Sequence, residues 1–247
     1  MAKISSVTTS SITALRSKIE ESIKACVCLE DAAQKYTDVM YNEFKDSIVL
    51  VRLFATVPFG ELPATNQKFV TNLAASAGIS SLVNNRMLVL SLLGTRGEKA
   101  AWNDRHKSQG HVGIPLASGD FIEAVPMMSR LLKELGLGLD WIDSGDTEIV
   151  SKTMGGIAGV FYVPDAKTTV DHKGRKIIAA QDFVSAYNVK TVFGIGGGYL
   201  AGNVFATNIV FTREALGKRQ AERFMPVVNT FKTGTMRFVS SKRVFAQ

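Results

Sequence analysis

The sequence predicts an α+β fold on three observations. Helical periodicity marks both ends of the chain, short apolar runs of strand character lie between them, and tight turns with polar excursions separate those runs. A chain of 247 residues with 46% hydrophobic and 21% charged residues supports a sizeable core and argues against wholesale disorder. The stretch from Gly155 to Thr212 organises the rest: an apolar strand (Gly159 to Val163), a turn (Pro164 to Ala166), a polar crossing and two further strands suggest a walled pocket.

Hydroxyl residues from Thr8 to Ser11 offer N-caps to a first helix, in which Ile12, Leu15, Ile19, Ile23 and Cys26 recur at three- and four-residue steps. So narrow a seam suits either packing on the domain or pairing with the same helix of a second copy. A second helix starts at Leu29, with Ala32, Ala33, Tyr36, Val39, Met40 and Phe44 on one face and Glu30 and Asp31 where the helix dipole favours acids. Ser47 to Val57 is almost unbroken apolar and β-branched, which predicts a central strand buried on both faces. Arg52 interrupts it; the plainer expectation is a carboxylate partner at the sheet end, the alternative a polar cavity.

Beyond Pro58 to Pro63, Thr65 to Gly78 predicts a short helix, Met87 to Leu93 a strand, and His111 to Leu116 a short strand. Ser118 to Leu135 has helical spacing with Pro126 inside it, so either the first turn is separate or the helix proper begins at the proline, and Gly136 stops it. Gly155, Gly156 and Gly159 lead into Val160 to Val163; Ile177 to Tyr187 is a short helix; Val189 to Ile195 and Val204 to Phe211 are strands. A final helix, capped by Thr212 and kinked at Pro226, runs to about Phe238.

Three quoted stretches resemble the GAF sensor domain. LEDAAQKYTDVMYNEFKDSIVLVRLF (Leu29 to Phe54) resembles the family's opening helix and first strand. VFYVPDA (Val160 to Ala166) resembles the strand and aspartate turn before its variable pocket segment, and YNVKTVFGIGGGYLAGNVFATNIVFT (Tyr187 to Thr212) its last hairpin. The likeness covers about half the chain. It implies a central antiparallel sheet flanked by helices on one face, a ligand cavity on the other, and N- and C-terminal helices packed together. On this reading residues 1–28 form a leader helix and residues 29–247 the sensor domain, with insertions at about 58–85 and 97–153.

The candidate chemistry is weighed residue by residue. Gly194, Gly196, Gly197 and Gly198 invite a dinucleotide loop, but Tyr199 stands where the last glycine belongs and strand-like residues follow, so a hairpin with positive φ is expected. His106, His111 and His172 read as surface or hydrogen-bonding residues rather than metal or haem ligands. Cys26 and Cys28, placed on the leader helix, supply neither a disulfide framework nor a zinc site, and some GAF relatives reduce methionine sulfoxide through loop cysteines that this sequence lacks. No nucleophile with a positioned base is evident.

The pocket set is Arg52, Trp102, His111, Phe161, Tyr162, Asp165, Arg175, Thr191 and Phe193, a mixture of apolar walls and fixed polar groups. The net charge of +7 is spread over the chain, as on a solvated surface and unlike a nucleic-acid footprint. No run of about 20 apolar residues exists, and the cysteine usage suits a reducing, cytoplasmic setting. The resulting expectation is a cytoplasmic small-molecule sensory or regulatory domain of signal transduction, a homodimer joined through helices, acting on an output protein. Its ligand and any cofactor are unspecified. A ligand-free interaction module and, third, an enzyme on the same scaffold are the alternatives.

Overall fold

Thr8 begins the first α-helix with a reciprocal cap: its hydroxyl accepts from the Ser11 amide while the Ser11 hydroxyl accepts from the Thr8 amide. A computed structural model of the chain describes residues 2–108, 111–139, 142–143, 158–200 and 204–246. The expected Gly155, Gly156 and Gly202 lie outside these residues. Helix α1 (Thr9–Ile23) buries Ile12, Leu15, Ile19 and Ile23. It ends before the cysteines, so Cys26 and Cys28 sit in the linker rather than on the leader helix, and the Cys28 sulfur N-caps α2 (Leu29–Glu43) by accepting from the Asp31 amide. Both thiols are free and buried.

Six strands follow: β1 (Ile48–Pro58), β2 (Leu88–Gly97), β3 (Gly113–Pro115), β4 (Ala158–Val163), β5 (Thr191–Gly198) and β6 (Phe205–Thr212). Their order is β3-β2-β1-β6-β5-β4, and every neighbouring pair is antiparallel. The pairing of β1 with β6, from Ile48 opposite Thr212 to Ala55 opposite Ala206, joins an N-terminal half-sheet to a C-terminal one. Both faces of β1 are covered, which is why its sequence lacks the alternation of a half-exposed strand.

One face carries α1, α2, α7 (Lys218–Glu222) and α8 (Met225–Ser240), which pack on Val51, Leu53, Ala55, Phe193, Ile195 and Val210. The terminal helices lie together as expected: Arg16 donates to the Thr230 hydroxyl at 2.9 Å and Arg237 to the Lys24 carbonyl at 2.7 Å. The seam of α1, which the sequence left open to a second copy, is therefore spent inside the chain.

The opposite face is not helix-free, as the resemblance implied. Helices α4 (Gly119–Glu123), α5 (Pro126–Glu134) and α6 (Gln181–Ala186) cover Val49, Leu50, Phe54, Leu90, Phe161, Val192 and Ile209 there. A sheet apolar on both sides has to be covered on both. Helix α3 (Ala64–Ser76) packs at the β3 edge.

Two further expectations are corrected. Thr212 ends β6 and its hydroxyl donates to the Ser47 carbonyl instead of capping a helix; the closing helix starts at Lys218 and breaks before α8, whose first turn holds Pro226. Gly194, Gly196, Gly197 and Gly198 belong to β5 itself, and the positive-φ glycines among the described residues are Gly78, Gly136 and Gly174. At Gly196 the need is close approach: a Cβ there would lie 2.8 Å from the Ala206 carbonyl oxygen and 2.9 Å from the Phe205 ring.

The bundle face also holds a buried polar link. Asn208 accepts from the Ile195 amide at 3.2 Å and donates to the Tyr36 hydroxyl at 3.1 Å, while the Tyr36 ring meets Phe231 edge-on. Burial raises the Tyr36 phenol far above its ordinary range, so the hydroxyl stays neutral. Tyr36→Phe leaves the Asn208 amide donor buried without its acceptor, and a loss of about 1–3 kcal/mol is expected from the urea midpoint with an unchanged slope.

Candidate functional site

Alternation along β1 sends Val51, Leu53 and Ala55 to the bundle and Leu50, Arg52 and Phe54 to the other face. Arg52 stands there between Thr95 of β2 and Ile209 of β6, half-buried near the middle of the sheet. Its Nη2 makes one long hydrogen bond, 3.4 Å to the Ser108 hydroxyl, and its Nε is buried with no partner. No carboxylate among the described residues pairs with it, so the expected structural ion pair is not found among them. Burial pushes its guanidinium down to about 10, and at neutral pH it remains a cation.

His111 lies just before β3 with its backbone in the left-handed region, φ 54°. The residue is exposed to solvent, yet the atoms packed about the ring, and then the Arg52 guanidinium, lower its pKa from the ordinary imidazole value. The guanidinium thus lies within electrostatic reach of an imidazole that its field disfavours from charging, and no acid among the described residues balances them.

The segment between β2 and β3 carries His111 and is pinned at several points. The Thr95 hydroxyl donates to the Trp102 carbonyl at 2.9 Å, and the Gly97 amide to the Asn103 side chain at 2.8 Å. Trp102 packs edge-on against Phe183 and Tyr187, and Phe183 against Phe211, making an aromatic wall at that end of the face. Arg105 is buried, bound through Nε to Glu30 and stacked 5.2 Å over the Phe245 ring, while Glu30 also accepts from the Ala246 amide. Sequence reasoning missed this junction, because Glu30 reads as a helix-start acid and nothing near it points to a residue 75 positions away.

The nine expected pocket residues do not share one wall. Arg52 lies within electrostatic reach of His111, and Trp102 stands in the aromatic wall. Phe161 is fully buried on the same face among α5 and β5 residues. Tyr162, Thr191 and Phe193 point into the bundle: the Tyr162 hydroxyl donates to the Leu216 carbonyl, Thr191 donates to the Pro164 carbonyl and accepts from the Leu216 amide, and Phe193 rests on Phe224. Asp165 is exposed and closes its turn by accepting from the amides of Lys167 and Thr168. Arg175 pairs with Asp171 at 2.7 Å and donates to the carbonyls of Glu123 and Ala124, clasping the polar excursion to α4.

Two surface grooves offer less. One of about 300 Å³ between α5 and the excursion is lined by Arg130, Lys133 and Arg175, each already paired with an acid. The other, about 510 Å³ beside the first turn of α1, is bridged by Arg223 donating to the Val7 carbonyl. Among the described residues no three His, Cys, Asp or Glu side chains converge as metal ligands, and no helix is long and apolar enough to cross a membrane.

No protein-family model matches the sequence, and no curated protein matches it. Solved structures resemble it in the path of the chain. A free methionine-R-sulfoxide reductase from Neisseria meningitidis, in complex with its substrate, aligns over 98% of both chains at 10% identity and TM-score 0.48. The GAF domain of an Acinetobacter phosphoenolpyruvate-protein phosphotransferase aligns over 95% of this chain and 98% of its own at 9% identity and TM-score 0.44. A phycocyanobilin-bound GAF domain from a cyanobacterial phytochrome aligns over 96% and 98% at 11% identity and TM-score 0.45. At such identities the likeness concerns fold alone.

Proposed function

We propose that this chain is a small-molecule sensory domain, a regulatory unit of signal transduction in a reducing, cytoplasmic setting, whose ligand enters the face of the sheet opposite the α1–α2–α8 bundle. The observation that carries this reading is Arg52: a cation inside a strand, with an unpartnered buried Nε, costs stability that nothing in the described chain offsets. A ligand offsets it. Of the nine expected pocket residues, Arg52, Trp102 and His111 stay in the proposed site.

The route from site to output runs through the β2–β3 segment. It bears Ser108 and His111 at one end and, through Arg105, grips Glu30 at the start of α2 and Phe245 in the C-terminal tail. Occupancy at Arg52 shifts the balance between two arrangements of that segment, and with it the seating of α2 and the tail. Pairing of two copies through α1 would use its polar outer side, since the apolar seam is buried.

The test is native mass spectrometry of the protein as purified, followed by a thermal-shift screen over nucleotides, amino acids, small aromatics and haem. A retained molecule, or a dose-dependent rise in midpoint, is the expected result. A bare protein unmoved by every class removes the reading.

A further inference from the structure

We infer that the Arg52–His111 end of this site takes the oxyanion of a small ligand, a carboxylate or a phosphate. The inference rests on the sensory reading above and names the chemical class of the ligand.

The first argument is a contrast within the chain. Arg105, Arg130, Arg175 and Arg213 each sit against a carboxylate, those of Glu30, Glu134, Asp171 and Glu98. Arg52, placed on the central strand, has none among the described residues. Other arginines without an acid find protein acceptors, Arg16 the Thr230 hydroxyl, Arg223 the Val7 carbonyl and Arg237 the carbonyls of Ile23, Lys24 and Cys26, whereas Arg52 makes one long bond.

The second argument is the geometry of the unused donors. Nε and Nη2 lie on one edge of a guanidinium, the edge that grips two oxygens of a carboxylate or phosphate in parallel. Arg52 leaves Nε unbonded and commits Nη2 only to the 3.4 Å contact with Ser108. That edge is therefore uncommitted, and a ligand that displaces the atoms burying Nε meets both donors for bidentate recognition.

The third argument is His111. Of the charged groups in the described residues, Arg52 on β1 is the one whose field reaches it, and that field opposes its protonation. An anion seated between the two reverses the sign and favours the imidazolium. Binding then takes up a proton and raises the His111 pKa, so affinity rises as the pH falls toward the lowered range in which free His111 titrates, and levels off below it.

The experiment uses the full chain with sodium acetate, sodium benzoate and inorganic phosphate, each compared with sodium chloride at equal ionic strength, because screening alone moves midpoints. Binding is read by thermal shift and by titration of the Arg52 Nε–H resonance in ¹⁵N spectra of the wild type, which is independent of whether any variant folds. At least one probe is expected to move both readouts, and the carboxylate and phosphate arms tell which source fits. Arg52→Met is expected to weaken that probe roughly ten- to hundredfold, and His111→Asn to retain binding but lose its strengthening between about pH 8 and about pH 5. Equal shifts in wild type and Arg52→Met, or an Arg52 resonance that ignores all three probes, overturn the oxyanion inference. If neutral compounds from the wider screen bind while the anions do not, the sensory reading stands and only the ligand class falls.

Discussion

Arg52→Met is expected to make the unliganded protein more stable by about 1–3 kcal/mol while weakening ligand binding roughly ten- to hundredfold. Methionine fills the volume of the arginine stem and fits irregular space without strain. What it removes is a charge that burial already disfavours and a buried Nε without a partner. Few substitutions of a core-facing residue stabilise a protein, since most such changes leave a cavity or an orphaned group. A gain here would be the signature of a position kept for binding at the expense of stability. The measurement is the urea midpoint of wild type and variant in ligand-free buffer, repeated with the best compound from the screen. A loss of stability equal to the expected gain would show that the guanidinium is paired in solution, and the site reading would fall with it.

Gly94→Ala is expected to have the largest effect in the other direction, a loss of about 3 kcal/mol or more. Here α2 lies directly on β2: a Cβ at Gly94 would stand 2.3 Å from the Ala33 carbonyl oxygen, 2.5 Å from its carbon and 2.8 Å from the Gln34 nitrogen. These are backbone atoms, so no rotamer change relieves the overlap. Gln34 clamps the same contact by accepting from the Thr95 amide at 3.2 Å and donating to the Thr95 carbonyl at 3.0 Å. The helix must lift from the sheet, and with it Tyr36 and its bond to Asn208. Denaturation that matches wild type within about 0.5 kcal/mol would refute the close packing of α2 on β2.

The local pattern of the chain made much of this fold legible. Spacing at Ile12, Leu15, Ile19 and Ile23 marks α1 and its buried side, and Pro126 marks where α5 begins. The unbroken run through Val51 and Leu53 marks a strand covered on both faces. Each of these signals is written within a few residues of the structure it specifies, because helical and strand periodicity are local properties of the backbone.

The site was legible only in part. Arg52 stood out as a charge in an apolar strand, yet whether it meets an acid depends on which residues the sheet places beside it. Phe161 and Tyr162 are neighbours in sequence and face opposite layers, so a pocket drawn from adjacent residues cannot hold both.

By itself, then, the sequence determined the helices and strands and the oddity of a lone arginine among them. The tertiary structure alone decided that helices cover both faces, that Arg105 reaches Glu30, and that Arg52 lies within electrostatic reach of His111 with no carboxylate among the described residues paired to it. The reason is physical: those outcomes rest on strand register and on contacts between residues far apart in the chain, and such contacts exist only once the β1–β6 pairing has brought the two half-sheets together.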